Sequence, residues 1–257
     1  MKAKKISSVI EEYAPLSFQE KWDNSGYCIG GADQEVHSAI IALACTERVV
    51  DEAIASGTDM IITHHPLIFG GVTKISGENT LGRIICKAIK NDIVIYSCHT
   101  NMDKVLNGVS GQMASRLELK EVEILDKGAM GEGLGIVGKL QRPMVDKEFG
   151  EFVKKAFSLN MLRCSRPCGK VITTVAMCGG SGKSLIHAAK AVGADAYISG
   201  DISYHDFMTD DGFFLFFIGH YESEIDIVQT IYDILKEKIS NFAVRTFNDN
   251  NNLVYYL

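Results

Sequence analysis

The chain is predicted to be an α/β protein made of two linked α/β units, and three observations predict it. Short β-rich runs alternate with longer amphipathic ones from near the start of the chain to its end, which is the signature of an α/β sheet. A glycine-rich stretch, DKGAMGEGLG at 126–135, interrupts that alternation and marks the best boundary between units. The 257 residues, 46% of them hydrophobic and 23% charged, can bury a substantial core without disulfide or metal staples.

The elements follow in order. MKAKKISSVIEEYAP is basic for five residues, then reads as an amphipathic helix with Ile6, Val9, Ile10 and Tyr13 on one face, and it lacks the continuous apolar core of a signal peptide. After FQEKWDNSGYCIGG, HSAIIALA (37–44) reads as a strand, TERVVDEAIASG (46–57) as a helix stopped by glycine, and DMIIT (59–63) as the next strand. GRIICKAIKND (82–92) is helical and IVIYSC (93–98) a strand. A helix around Gly111 to Leu119 and a strand EVEIL (121–125) close the first unit, 1–125, which 218–257 complete. The second unit, 126–217, has GIVGKLQ as a strand, DKEFGEFVKKAFSL as a helix, and VITTVAMC leading through a glycine-rich turn into SLIHAAKAVGA. DAYIS (195–199) and FFLFFI (213–218) are strands, SEIDIVQTIYDILKEKI (223–239) a long amphipathic helix, and FAVRTF and LVYYL two closing strands.

Composition excludes several classes. A net charge of -6 argues against a protein whose main business is the nucleic-acid backbone. The longest apolar runs fall well short of the ~20 residues of a membrane-spanning helix. The seven cysteines are odd in number and scattered, several inside apolar runs (Cys45, Cys86, Cys98, Cys178), as expected of small buried hydrophobes in a reducing compartment, so the cytoplasm is the expected location. Cys164 and Cys168 form a lone CxxxC and read as ordinary loop cysteines rather than a zinc site.

The histidines carry the functional signal. Of the seven, five (His64, His65, His99, His205 and His220) fall at or shortly after the C-terminal end of a predicted strand, the edge where open α/β sheets bind ligands. Acidic residues stand beside them: Asp103 in HTNMD, Asp201 in GDISYHD, Glu224 in HYESE. On a helix starting near Tyr221, His220 and Glu224 lie one turn apart and face one point. His64 and His65 would point to opposite faces of an ideal strand, but a strand's end before Pro66 lets both rings turn the same way. His37 and His187 read as hydrogen-bonded structural histidines. Imidazoles mixed with carboxylates suit Zn, Mn, Fe, Co or Ni, and the supply of ligands exceeds what one ion needs. Two ions sharing a bridging water favour hydrolysis.

ITHHPLIF, SCHTNMD, CGGSG, GADAYISGDISYHD and GHYESE, with WDNSGYCIGG and GLGIVGKL, together resemble the NIF3-like family, also known as GTP cyclohydrolase 1 type 2 homologs, over nearly the whole chain. The resemblance implies the NIF3-like fold, two linked α/β units with the metal site in the cleft at strand C-terminal ends and no inserted domain. It implies a dinuclear centre on His64, His65, Asp103, His220 and Glu224, and a homohexameric ring. His99 and His205 are the expected proton carriers, while Asp201, Gly180 and Ser181 are expected to orient ligands or touch substrate. LACT has Ala44 where the family commonly has aspartate. The expected activity is attack by metal-activated water on a nucleotide or other phosphate-containing small molecule. The alternative is a non-catalytic metal-binding ring serving as scaffold, metal carrier or regulatory partner.

MCGGSGKS at 177–184 also resembles a phosphate-binding P-loop, but Met177 stands where the motif needs its first glycine. It is expected to be a tight structural turn whose backbone N–H groups remain able to cradle an anion.

Overall fold

The alternation of apolar runs and amphipathic segments resolves into two sheets in the computed structural model of the chain, which describes residues 1–208, 212–247, 249 and 252–255. In chain order the first elements are α1 (Ala3–Tyr13), β1 (Gly26–Ile29), β2 (Ser38–Ala42), α2 (Glu47–Ser56), β3 (Met60–Thr63), α3 (Thr80–Lys90), β4 (Val94–Ser97) and α4 (Thr100–Asp103). Then come α5 (Val109–Arg116), β5 (Lys120–Lys127), β6 (Gly133–Val145), α6 (Asp146–Ala156), β7 (Arg163–Cys164), β8 (Val171–Cys178), α7 (Ile186–Ala191), β9 (Ala196–Ser199), β10 (Phe214–Phe217) and α8 (His220–Glu224). The helix α9 (Asp226–Lys238) and strand β11 (Ala243–Thr246) complete the order.

Two compact units result, residues 1–102 with 227–257, and residues 103–226. The first is built on the sheet β1-β4-β3-β2-β11, in which β4, β3, β2 and β11 are parallel and β1 runs antiparallel at the edge. Its central strands are unbroken apolar runs because a parallel sheet is covered on both faces. Ile40, Ile61 and Ile95 pack against Val49, Val50 and Ala53 of α2 and Ile84 and Ala88 of α3. Each fully buried isoleucine contributes about 1.5–3 kcal/mol. Thr46 starts α2 by accepting from Val49 N, and the left-handed Gly57 ends it. The helix α1 is tied down by Tyr96 Oη donating to Glu11 and Tyr27 Oη to Ser7.

The second unit is built on the mixed sheet β5-β6-β8-β9-β10-β7, parallel only across β8-β9-β10. Met113 of α5, Leu117 at its C-cap, and Phe149 and Val153 of α6 pack with Ile172, Val175, Ile198 and Phe216, and the rings of Phe149 and Phe216 meet edge to face at 5.2 Å.

Three expectations change. The glycine-rich stretch 126–135 is a hairpin turn: β5 and β6 pair antiparallel across it, Lys127 opposite Gly133. The boundary expected at 125/126 therefore moves to 102/103, because α5 and β5 bury their apolar side chains in the second unit, and the return boundary lies at 226/227 rather than 217/218. LVYYL gives no strand over Leu253–Tyr255, and its last two residues lie outside the described ones. The expected helix 223–239 is two helices, α8 starting at His220 and α9 at Asp226. No helix among the described residues is long and apolar enough to cross a membrane.

Candidate metal centre

In the first unit strand register brings the histidines together. β3 and β4 are parallel with Thr63 opposite Ser97, so the residues just past each strand are neighbours. His65 N continues the ladder to Leu43 O at 2.9 Å, and Thr63 Oγ1 turns back to His65 O at 2.8 Å. The His64 and His65 rings stand 5.0 Å apart, and His99 lies 5.2 and 5.6 Å from them. Ligand atoms of all three lie within 4.8 Å of one another. His64 is wholly buried, and its Nδ1–H donates to Cys98 O at 2.9 Å, which assigns the lone pair to Nε2.

His99 is positioned by a residue outside the histidine motifs, Asp23. Its Nδ1–H donates to Asp23 Oδ1 at 2.7 Å. Asp23 also accepts from Thr100 N at 3.0 Å, Thr100 Oγ1 at 2.5 Å and Ser25 Oγ at 3.0 Å. Burial alone would raise the Asp23 carboxyl, but its bonds to His99 and Thr100 and the His99 charge outweigh it and hold the group far below the usual carboxylate range. WDNSG was the available signal. It required knowing that β1 runs antiparallel to β4 with Gly26 opposite Ser97, which puts the segment before β1 beside the segment after β4.

In the second unit the same logic works at another sheet edge. β8, β9 and β10 are parallel, with Cys178 and Phe217 both opposite Ser199, so Gly179–Ser181, Gly200–Asp201 and His220 follow adjacent strand ends. One turn of α8 puts His220 Nε2 3.1 Å from Glu224 Oε2, and His220 Nδ1 lies 2.7 Å from Asp201 Oδ2. Glu224 is buried. Its carboxylate, opposed by burial and joined by Asp201, raises His220 to about 9, so this point favours positive charge. Ser181 Oγ donates to Asp201 at 3.1 Å, which places it behind the same imidazole.

The glycine-rich turn packs directly on this pair. Gly180 has φ +56°, and a Cβ there would sit 2.2 Å from Glu224 Oε1. Its N–H groups are spent internally, Gly179 N on Ser110 Oγ, Gly180 N on Ser223 Oγ and Gly182 N on Ser199 Oγ. The expectation that they could cradle an anion is corrected for these three donors, since each already has an acceptor.

Asp103 is the last residue of α4 and half-buried. With burial the larger cause, Asp103 and Glu224 push the Cys178 thiol up to about 12, so that cysteine stays a neutral apolar filler. His205 is exposed on the short 3₁₀ turn Tyr204–Phe207, its ring edge-on to Tyr204. His37 pairs with Asp59 at 2.7 Å at the surface, a structural role as expected.

The donor chemistry fits a transition metal: imidazole and carboxylate groups, with His64, His99 and His220 each committing Nδ1 to an oxygen acceptor. The sequence as a whole matches the family model described as Duf34/NIF3 (NGG1p interacting factor 3) over residues 1–252. A Clostridium perfringens protein named GTP cyclohydrolase 1 type 2 homolog is 35% identical over 246 residues, covering 94% of each chain. A Clostridium acetobutylicum protein of the same name is 38% identical over 208 residues, covering 80% of this chain and 78% of its own. The crystal structure of Staphylococcus aureus protein SA1388 matches 100% of this chain and 99% of its own with a TM-score of 0.91 at 28% identity.

Proposed function

Because the chain belongs to the Duf34/NIF3 family, we propose that it is a metal-dependent hydrolase that holds two divalent transition-metal ions on His64, His65, Asp103, His220 and Glu224. One observation carries this reading: two of the proposed ligands, His64 and His220, each donate Nδ1–H to a carbonyl or carboxylate, at 2.9 and 2.7 Å. Metal-bound histidines almost always make that second bond, which fixes the ring and raises the basicity of the other nitrogen. His64 also converges with the imidazoles of His65 and His99, their ligand atoms within 4.8 Å of one another, which a structural histidine does not need.

Two such ions supply a nucleophilic water near neutral pH and polarise the group it attacks. Asp201 orients His220, and Ser181 orients Asp201 in turn. His99 is assigned to proton transfer, since the Asp23 carboxylate stabilises the imidazolium formed when the ring takes a proton. His205 is the second proton carrier we assign, reaching substrate from its exposed turn. The names of the relatives point to a nucleotide or other phosphate-containing substrate, with opening of the GTP imidazole ring as the first reaction to assay. A homohexamer is the proposed assembly.

Elemental analysis of protein purified without chelator tests this, on wild type and on a His64→Ala, Glu224→Ala double variant. Near two ions per chain, falling sharply in the variant, supports the centre; no ion after incubation with Zn, Mn, Fe, Co or Ni removes it. Metal without turnover of nucleotides or phosphate esters would favour the scaffold or carrier role.

A further inference from the structure

The sole tryptophan of the chain, Trp22, lies 61% exposed, and Phe69 beside it 57% exposed. Their ring centroids are 5.7 Å apart at 55°, and His99 lies 6.2 Å from Trp22 and 6.0 Å from Phe69. An exposed indole on a loose loop would mean little, but this loop is pinned. Glu20 N donates to Thr100 Oγ1, Ser25 N to Gln19 Oε1 and His99 N to Ser25 Oγ. Asn24 Nδ2 donates to Ile68 O at 2.9 Å, which fastens the Trp22 loop to the one carrying Phe69. The chain thus holds out two large rings beside the imidazole cluster instead of burying them.

We propose that Trp22 and Phe69 form a stacking platform for a planar heteroaromatic ring of nucleobase size, carried by the small molecule that reaches His99. Rings tilted at 55° suit one ligand ring met face-on by one aromatic and edge-on by the other. Two side chains offer far less area than the ~800 Å² per partner of a stable subunit interface. Stacking is tolerant of ring identity, so the platform defines a class of ligand rather than one compound. The proposal rests on the reading of the imidazole cluster as the reacting end of the site.

Trp22 emission reports on the platform directly, because no other tryptophan contributes. Guanosine 5′-monophosphate, adenosine 5′-monophosphate and riboflavin are titrated against the purified full chain, with ribose 5-phosphate as the control that lacks an aromatic ring. Saturable quenching by at least one ring compound and none by the control is expected. Phe69→Ala is expected to weaken that binding roughly tenfold, and Trp22→Ala, followed by calorimetry, at least as much, with metal content equal to wild type in both. Equal quenching by ribose 5-phosphate, no saturable quenching by any of the three rings, or variants that bind as wild type does would overturn the proposal. So would variants that change the sedimentation size, since the pair would then be a subunit contact. Metal present with no ring binding sinks the platform alone, whereas ring binding in a chain that takes up no metal sinks the hydrolase reading alone.

Discussion

Asp23 and His99, 76 residues apart in the chain, share a 2.7 Å hydrogen bond between a buried carboxylate and an imidazole Nδ1–H. The bond sets the His99 ring plane and directs Nε2 as the acceptor nitrogen. Asp23→Asn keeps the shape and removes the charge that stabilises the His99 imidazolium, so the expected result is a turnover reduced roughly 10²- to 10⁴-fold with metal content equal to wild type. A turnover assay run beside elemental analysis measures it, and turnover equal to wild type would mean that the Asp23–His99 pair moves no proton in the reaction.

Gly180 is required twice over at its position. A side chain there meets φ +56° and would place Cβ 2.2 Å from Glu224 Oε1. The backbone conformation alone costs an L-residue about 1–2 kcal/mol, and relief of the clash moves the buried carboxylate. Gly180→Ala is expected to lower the thermal midpoint and to reduce bound metal, while Ser181→Ala, which loses only one exposed hydrogen bond to Asp201, changes the midpoint little. Thermal unfolding followed alongside elemental analysis separates the two, and a Gly180→Ala variant with full metal content would contradict the packing argument.

Much of this is legible in the sequence. β2, β3, β4, β9 and β10 are short apolar runs with turn signals at their ends, and His64, His65 and His99, past β3 and β4, fall where parallel register gathers them. His220 and Glu224 were readable because helical spacing is local. Asp23 was not, because its place depends on β1 pairing antiparallel with β4, a long-range choice with no local trace in GYCI. The hairpin at 126–135 is hidden in the sequence for a related reason: glycine marks a turn, but whether the strands on either side pair depends on Ile124 facing Ile136 in the ladder. The N–H groups of CGGSG look available in the sequence because their acceptors, Ser110, Ser199 and Ser223, lie 17 to 69 residues away.

Lys183 gives a direct test of the P-loop resemblance. Its Nζ lies 2.9 Å from Asp206 on the turn that follows β9, a surface pair typically worth under about 1 kcal/mol. Lys183→Ala is therefore expected to leave nucleotide binding, metal content and fold unchanged. Calorimetric titration with a nucleoside triphosphate checks it. A loss of binding with metal retained would restore the P-loop reading and the lysine as its phosphate contact.

Asp146, the first residue of α6, supplies a pH prediction remote from the candidate centre. Its carboxylate accepts from Cys168 N and Gly169 N at 2.7 Å and from Lys147 N at 2.6 Å. Burial works to raise its pKa, but these bonds outweigh burial and lower it below the ordinary 3.8. A depressed folded-state pKa means that the stabilisation is complete above the unfolded value and is lost as pH falls through the folded one. Asp146→Asn removes the charge and leaves three part-buried backbone donors poorly matched, at an expected cost of roughly 1–3 kcal/mol at neutral pH. The gap between wild type and variant should hold from pH 7 down to about the unfolded value of 3.8 and close only in more acidic solution. Urea denaturation at a series of pH values reads it, and a gap that closes already between pH 7 and 5 would show that another group, not this carboxylate, is responsible.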